Sequence, residues 1–455
     1  MDKQTAALTH GPLGRQILFF SIPLMLSYVM QVLFNMADIA VVGRFAGPEA
    51  LGAVGSTAIL VSLFTGFLIG IGSGVNVVTA RFLGAETEKD VRETVHTSAL
   101  VCPMIGLALL AVGLLFSRGI LELMRTKEVL IDGATLYLRI VFLGMPALAV
   151  YNFGNAVLSA MGDTRRPLVF LAIAGAANLV LNLFFVIVCR LDVAGVAIAT
   201  VISQYISAAL IMAALLREKT SIGLLPACLR LTPRKARMVL AIGVPSGLQN
   251  AIFALANLFI QTGVNSFDAV MVEGNSAAAN ADGLVYDVMA AFYGACASFM
   301  GQNYGARNRS RVIKSYFYSL AYSFGAGALL GTLLLVFGRQ FLSLFTTESA
   351  VIEAGLNRLG IMGFSYAFSA FMDCAISASR ALGKSVVPMV FVFLGSCVFR
   401  VIWVFTVFAH FRTIQSLYLL YIFSWTLTAI AENIYFFRVY RRVWLPDAEK
   451  PVGGS

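Results

Sequence analysis

Residues 16–47, QILFFSIPLMLSYVMQVLFNMADIAVVGRFAG, form an almost wholly apolar run. Roughly 20 apolar residues are enough for a helix to cross a bilayer, so this stretch predicts a membrane span. Asp38 lies near its outer end, and Asn35 shares the same helical face. A carboxylate inside a membrane helix costs roughly 2.5–3.5 kcal/mol, so it usually faces a cavity and serves function. The alternative is that Asp38 lies close enough to the membrane surface to reach water.

The composition of the whole chain is typical of a polytopic membrane protein. Of its 455 residues, 59% are hydrophobic and only 12% are charged, whereas soluble domains carry about 25% charged residues. We expect no cleavable signal peptide, because the first apolar run is longer than a signal-peptide core of roughly 7–15 residues. The six cysteines are scattered, so neither a disulfide framework nor a metal site is expected.

Hydropathy predicts an all-α membrane protein with twelve transmembrane helices. Their ends are defined by the polar loops between the apolar runs. The predicted spans are 16–43, 51–79, 95–117, 134–159, 167–189, 193–216, 238–265, 276–300, 315–338, 355–379, 385–409 and 413–437.

The distribution of basic residues predicts the orientation of these spans. An even number of spans places both termini on one side of the membrane. That side carries 23 of the 33 Lys and Arg residues, the opposite side carries 9, and Arg400 lies within a span. The positive-inside rule therefore predicts that both termini are cytoplasmic. It also explains the net charge of +10 without a nucleic-acid partner.

The two halves of the chain form an internal repeat. Four pairs of equivalent residues are separated by 221 or 222 positions: Pro23 with Pro245, Asn35 with Asn257, Gly84 with Gly305, and Gly162 with Gly383. Each half has six spans, so both halves enter the membrane in the same direction. We therefore expect two six-helix lobes related by a pseudo-two-fold axis along the membrane normal, with a cleft between them. The predicted boundaries are an N-terminal lobe at 1–216, a cytoplasmic linker at 217–237, and a C-terminal lobe with its tail at 238–455.

Several polar residues lie on the predicted spans of the first half. Asn178 and Asn182 on span 5 are four positions apart and share one helical face. Their ordinary role would be interhelical hydrogen bonding, and Thr200 on span 6 would ordinarily bond its own backbone. Together with Asp38 and Asn35 they supply carboxylate, amide and hydroxyl oxygens, which suit a hard cation or a proton.

The second half carries more charge within its predicted spans. Asp282 and Asp287 both lie on span 8. Asp373 on span 10 corresponds through the repeat to Asn152 on span 4. Arg400 on span 11, the only clear arginine within a span, is expected to neutralise a buried acid, which lowers the cost of burying both charges.

Other polar residues lie close to the predicted span ends. Glu432 is near the cytoplasmic end of span 12, beside Arg438, so a solvated or ion-paired carboxylate is favoured there. His96 and His410 also fall near span ends, and we expect both at the surface. The third histidine, His10, lies in the N-terminal tail.

Span 2 contains a regular series of glycines. Gly66, Gly70 and Gly74 recur every four residues. This spacing of small residues lets two helices approach closely. We therefore expect a helix-packing face here, with a ligand role as the weaker alternative.

These motifs resemble those of the multidrug and toxin extrusion (MATE) family, along nearly the whole chain. The resemblance is carried by SIPLMLSYVMQVLFNMADIAVVGRFAG, VTARFLGA, YNFGNAVLSAMGDTRRP, GVAIATVISQ, IGVPSGLQNAIFALANL, ASFMGQNYGARN and ASRALGKSVVP, and it is strongest towards bacterial members close to the DinF-like branch. It implies a secondary antiporter that exports organic, cationic and amphipathic compounds in exchange for H+ or Na+ by alternating access. It also implies a monomer of the bacterial cytoplasmic membrane with small-molecule substrates and no cofactor.

The resemblance also implies where ions and substrates bind. The cation-coupling site of the first lobe falls on Asp38, Asn178, Asn182 and Thr200, with Na+ at Asp38 as one option. Asn182 stands where the family usually has an aspartate, which leaves the choice between H+ and Na+ open. The residues assigned to a substrate site or a second cation site are Asn35, Asn152, Gln249, Asn257, Asp282, Asp287, Asp373 and Arg400.

Three other functions are alternatives to the multidrug exporter. A flippase or exporter of one dedicated lipid-linked or metabolite substrate would have a related fold, and an Arg-rich cavity would favour an anionic lipid. A membrane enzyme would need a nucleophile paired with a base or a metal cluster, and the sequence contains no such pattern. A receptor is disfavoured because the repeat carries acids within its spans. No phosphate-binding loop is present, so an ion gradient has to drive transport.

The predicted orientation can be tested by cysteine labelling in intact cells. A cysteine introduced near Lys450 is expected to resist a membrane-impermeant thiol reagent added from outside. It should react once the membrane is permeabilised. Labelling of this position in sealed cells would contradict the cytoplasmic assignment of the termini.

Overall fold

The computed structural model describes residues 8–444, and the regular structure in this range is helical. The longer helices are α1 (Leu13–Val41), α2 (Gly47–Gly84), α3 (Glu88–Leu123), α4 (Glu128–Leu143), α5 (Met145–Met161), α6 (Arg165–Leu183), α7 (Asp192–Arg217), α8 (Pro233–Val264), α9 (Ala269–Gly305), α10 (Arg309–Leu342) and α11 (Ser349–Ala381). They are followed by α12 (Val386–Val392), α13 (Phe399–Trp403), α14 (Ala409–Phe411) and α15 (Ile414–Val443). Short π-helical segments occupy Val42–Ala46, Phe184–Val188, Phe393–Val398 and Val404–Phe408, and a 3-10 turn occupies Pro226–Cys228.

The helices account for the twelve predicted spans. Ten continuous helical runs within residues 8–444 are long and apolar enough to cross a membrane, and the pair α4 and α5, bent by 43°, adds an eleventh. The first run, Leu13–Gly84, has 72 residues and would be about 110 Å long, more than three bilayer cores. Gly47 interrupts it with a φ of 88°, a conformation that glycine adopts without strain. This run therefore contributes two spans, as the sequence predicted.

Backbone contacts divide the described residues into two compact units. The first unit comprises residues 22–254, and the second comprises residues 8–21 and 255–444. The beginning of α8 thus packs within the first unit, and the beginning of α1 packs within the second. Residues 1–7 and 445–455, including Lys450, lie outside the described residues, and the lobe boundaries at 1–216, 217–237 and 238–455 stay a prediction.

The glycines of α2 contact α8 within the first unit. A side chain at Gly70 would collide with the backbone of Gly247, and one at Gly74 would collide with the backbone near Val239. Asn250 Nδ2 donates a hydrogen bond to the carbonyl oxygen of Gly66 at 2.9 Å. The predicted role of these glycines in close helix packing is confirmed.

The helices of each unit have equivalent neighbours. In the first unit, α2 packs on α3 and α5, while α7 packs on α5 and α6. In the second unit, α9 packs on α10 and α11, while α15 packs on α11, α12 and α13. The α4–α5 pair of the first unit corresponds to the single helix α11. Helices α2–α7 and helices α9–α15 therefore have the same internal order of contacts.

The segment between α7 and α8 is held against α3. The backbone N–H of Leu225 donates to Nε2 of His96 at 3.1 Å, and Nδ1 of His96 lies 2.7 Å from the carbonyl oxygen of Arg92. Lys235, which is 4% exposed, forms an ion pair with Asp90. The expected surface position of His96 is wrong, because this linker covers the imidazole and leaves it 3% exposed.

A partly buried ion pair between Arg166 and Glu218, at the start of the linker, gives stability that depends on pH. Burial by itself raises the pKa of Glu218, but the hydrogen bond and charge of Arg166, 2.9 Å away, hold it below its ordinary value of 4.5. Because the folded-state pKa is depressed, this stabilisation is present above the unfolded-state pKa and is lost as the pH falls through the folded-state value.

We expect Glu218→Gln to lower the stability of the purified protein at pH 7 by about 1 kcal/mol, the scale of a partly screened charged hydrogen bond. The difference from the unmodified protein should shrink below about pH 4. Thermal unfolding in detergent between pH 3.5 and pH 7 measures this. Glu122→Gln is the matched control, because that carboxylate is 57% exposed in its pair with Arg118. An equal, pH-independent loss in both variants would contradict the assignment.

Candidate functional site

Four predicted cation-coupling residues meet in the first unit. Asn182 Nδ2 donates hydrogen bonds to Asp38 Oδ1 and, at 3.2 Å, to Asn178 Oδ1. Asn178 Nδ2 lies 3.5 Å from Thr200 Oγ1, and the Thr200 hydroxyl donates to the carbonyl oxygen of Val196 in its own helix at 3.0 Å. The sequence placed these residues on three separate helices, and packing brings them into one cluster.

One oxygen of this cluster lacks a partner. Asn182 is completely buried, and its Oδ1 accepts no hydrogen bond from any residue in the described part of the chain. A buried carbonyl oxygen without a donor is costly. Together with the Asp38 carboxylate, Asn178 Oδ1 and Thr200 Oγ1, it forms a set of oxygens of the kind that hard cations or protons select.

Local helix geometry orients the amides of this cluster. Asn178 and Asn182 lie one turn apart on α6, whose neighbour α7 carries Thr200. The π-helical segment Phe184–Val188 begins two residues after Asn182. Such π turns within α-helices occur frequently at functional sites.

The other predicted residues of the first unit do not join this cluster by hydrogen bonds. Asn35 is exposed, although it shares a helical face with Asp38. Asn152 Nδ2 donates to the carbonyl oxygen of Leu148 in its own helix at 2.9 Å. Gln249 on α8 is 3% exposed and is engaged by a neighbouring group.

In the second unit, Asp282 is occupied by protein partners. It accepts hydrogen bonds from the Tyr366 hydroxyl and from Arg358, whose Nε lies 3.0 Å from Oδ2. Arg358 also donates to Asn275 Oδ1 at 2.7 Å and is only 5% exposed. Arg358 is one of the nine basic residues assigned to the outer side, although position 358 lies inside the predicted span 355–379. Arg400 is therefore not the only arginine within a span.

The expectation that Arg400 neutralises a buried acid is wrong. Its Nη1 donates to Asn257 Oδ1 at 3.0 Å, and its Nε donates to Ser424 Oγ at 3.3 Å. Its guanidinium lies 4.9 Å from the ring centroid of Tyr421. Among residues 8–444, Arg400 forms no ion pair with a carboxylate.

A third group of charged residues in the second unit comprises Glu432, Arg380 and Asp373. Glu432 is completely buried, and neither carboxylate oxygen has a hydrogen-bond partner in the described chain, so the solvated carboxylate that the sequence favoured is wrong. Its electrostatic neighbours are Arg380 and Asp373. Asp287 is partly exposed on α9. Within the described range, no group of three His, Cys, Asp or Glu residues is placed to hold a metal ion.

Two helical units with equivalent contacts and with charged groups inside their spans are typical of a multi-pass membrane transporter. A model of the MatE family matches residues 23–184 and again residues 245–406, which repeats the offset of 222 at both ends. The chain belongs to the MatE family, the transporters that its motifs resemble.

Relatives and solved structures agree with this assignment. The chain is 28% identical to the probable multidrug resistance protein YpnP of Bacillus subtilis, over 79% of this chain and 80% of the relative. It is 25% identical to an FAD transporter of Shewanella oneidensis, over 77% of this chain and 78% of that relative.

Two solved structures have the same fold. One is a MOP superfamily transporter from Pyrococcus furiosus, described as having a binding pocket of reverse polarity that suggests a different function. It has a TM-score of 0.91 at 20% identity over 98% of this chain and all of that one. A multidrug resistance MATE family transporter in an outward-facing conformation gives 0.90 at 20% identity over 97% and 99%.

The geometry around Asp282 predicts a structural ion pair. Removing one partner leaves an uncompensated buried charge, so Arg358→Gln alone is expected to destabilise the protein by about 3–5 kcal/mol. The pair Asp282→Asn with Arg358→Gln should lose much less, because it leaves no net charge. Thermal or denaturant unfolding of the single and double variants measures the coupling. Additive losses would show that the two side chains do not depend on each other.

Proposed function

We propose that this chain is an ion-coupled exporter of organic, amphipathic compounds. The family assignment and the names of its relatives support multidrug efflux. The observation that carries the coupling proposal is the cluster around Asp38, with one carboxylate and a buried amide oxygen on Asn182 that lacks a donor.

The chemistry of this cluster suits one monovalent cation. Asp38 supplies one negative charge, and Asn182, Asn178 and Thr200 supply neutral oxygens. Either a proton on the carboxylate or one Na+ balances that charge without leaving excess charge in the membrane. Binding and release would change the contacts among α1, α6 and α7, which is how an ion can bias a conformational equilibrium.

We further propose that the protein acts as a monomer in the bacterial cytoplasmic membrane, with both termini in the cytoplasm. The 23-to-9 division of basic residues supports this orientation. The exporter of one dedicated substrate, or flippase, is not favoured, because most of the named relatives are multidrug resistance proteins. Cationic compounds are the first substrates to test, since acids outnumber arginines inside the spans.

We expect Asp38→Asn to abolish ion-driven transport while leaving the protein folded, because an amide cannot carry the negative charge that balances the coupling ion. Transport of ethidium and rhodamine 6G would be measured in inverted vesicles under separate H+ and Na+ gradients. The gradient that drives uptake in the unmodified protein identifies the coupling ion.

Asp132→Asn provides the matched control, since that carboxylate is 82% exposed in a surface pair with Arg118. Thermal stability in detergent would be measured for Asp38→Asn and Asp38→Ala. If the loss of stability accounts for the loss of transport, Asp38 has only a structural role in holding helices together. Near-normal transport by a stable Asp38→Asn protein would move the coupling site elsewhere, with Asp373 the first residue to examine.

A further inference from the structure

Arg400 is a buried charge that forms no ion pair with a carboxylate in the part of the chain that the structure describes. It is 1% exposed, and its hydrogen bonds go to the neutral side chains of Asn257 and Ser424. A buried charge is normally paired, because taking it out of water costs several kcal/mol per ion. Glutamine could make similar hydrogen bonds without that cost. A purely structural link between these helices therefore does not require an arginine.

The neighbouring acid is already neutralised. Asp282 pairs with Arg358 through Nε at 3.0 Å and through Nη2. The guanidinium groups of Arg358 and Arg400 both face the ring of Tyr421, at 5.3 and 4.9 Å from its centroid. Two cations thus face this tyrosine, and only Arg358 has a carboxylate partner, which leaves the charge of Arg400 without an ion pair in residues 8–444.

The repeat identifies the position of Arg400. The repeat offset of 221 or 222 residues places Arg400 at the position of Asn178 or directly beside it, and it places Asn257 at Asn35. The same offset places Ile260 where the first half has Asp38. The second unit has therefore lost the carboxylate of the cation-coupling cluster and has gained a guanidinium at an equivalent position.

The backbone around Arg400 is also unusual. Its short helix α13 lies between the π-helical segments Phe393–Val398 and Val404–Phe408. The segment Val404–Phe408 overlaps the position equivalent to Phe184–Val188, which lies beside the cluster around Asp38. The segment Phe393–Val398 has no counterpart in the first unit. Since π turns shift the side chains that follow them and cluster at functional sites, this extra segment orients Arg400.

We propose that Arg400, with Asn257, Ser424 and Tyr421, binds the carboxylate of an aromatic organic substrate in the second unit. This deepens the proposed export function and rests on it. A guanidinium offers paired N–H donors that match a carboxylate. Trp425 lies edge-on to Tyr286 at 5.5 Å and 5.3 Å from Tyr421, and such rings suit an aromatic body. The burial of Arg400 means that a ligand reaches it only when the surrounding helices part.

The test uses two dyes that differ in one group. Rhodamine B carries a free carboxylate, and its ethyl ester has the same cationic ring system without the acid. Fluorescence anisotropy with the full-length protein in detergent gives both dissociation constants. We expect the unmodified protein to prefer rhodamine B. Arg400→Gln should weaken rhodamine B binding about tenfold and change ester binding less than twofold, while Arg400→Lys should keep part of the preference.

The ratio of the two constants within each variant is independent of the folded fraction. Arg339→Gln is the control, because that arginine is 56% exposed in a pair with Glu353, and it should leave the ratio unchanged. If Arg400→Gln does not fold, Arg400→Lys decides through the same ratio. An unmodified protein without preference, or an equal loss of both dyes in the variants, would overturn the inference. If the ester still binds in that case, the proposed export function is retained. If neither dye binds, both the inference about Arg400 and the proposed export function are overturned.

Discussion

The hydrocarbon interior of a bilayer offers no hydrogen bonds, and every polar group placed there has to find its partner within the protein. This constraint explains the helical backbone between residues 8 and 444, because a helix satisfies its own N–H and C=O groups. It also identifies the buried side chains that need a functional explanation. Asn182 Oδ1, Glu432 and Arg400 are buried groups whose hydrogen bonds or charges the described protein does not fully compensate.

The two units meet this constraint with opposite charges. In the first unit a carboxylate, Asp38, is surrounded by amides and a hydroxyl. In the second unit the equivalent region holds a guanidinium, Arg400, surrounded by an amide, a hydroxyl and a tyrosine ring. The repeated fold thus accommodates side chains of opposite charge in equivalent regions, because the backbone contacts of the repeat do not depend on the charge of these side chains.

Buried charges that form ion pairs have a different role from buried charges that do not. Arg358 and Asp282 neutralise each other and tie α9 to α11, with Tyr366 and Asn275 completing the network. Such a network stabilises one arrangement of helices. Asp38 and Arg400 form their hydrogen bonds with neutral side chains, which is why we propose a coupling ion at the first and a substrate carboxylate at the second.

The sequence by itself determined the spans, the repeat and the family. The thickness of the bilayer sets the length of each apolar run, so hydropathy locates the spans. The repeat is visible in the sequence as a spacing of 222 residues between the two family matches. It also brought Asp38, Asn178, Asn182 and Thr200 together through family resemblance. Only the tertiary structure decided which charges pair, that Arg358 holds Asp282, that Arg400 has no acid, and that the linker buries His96. These pairings depend on how helices distant in sequence rotate and pack, and on π turns that hydropathy does not record.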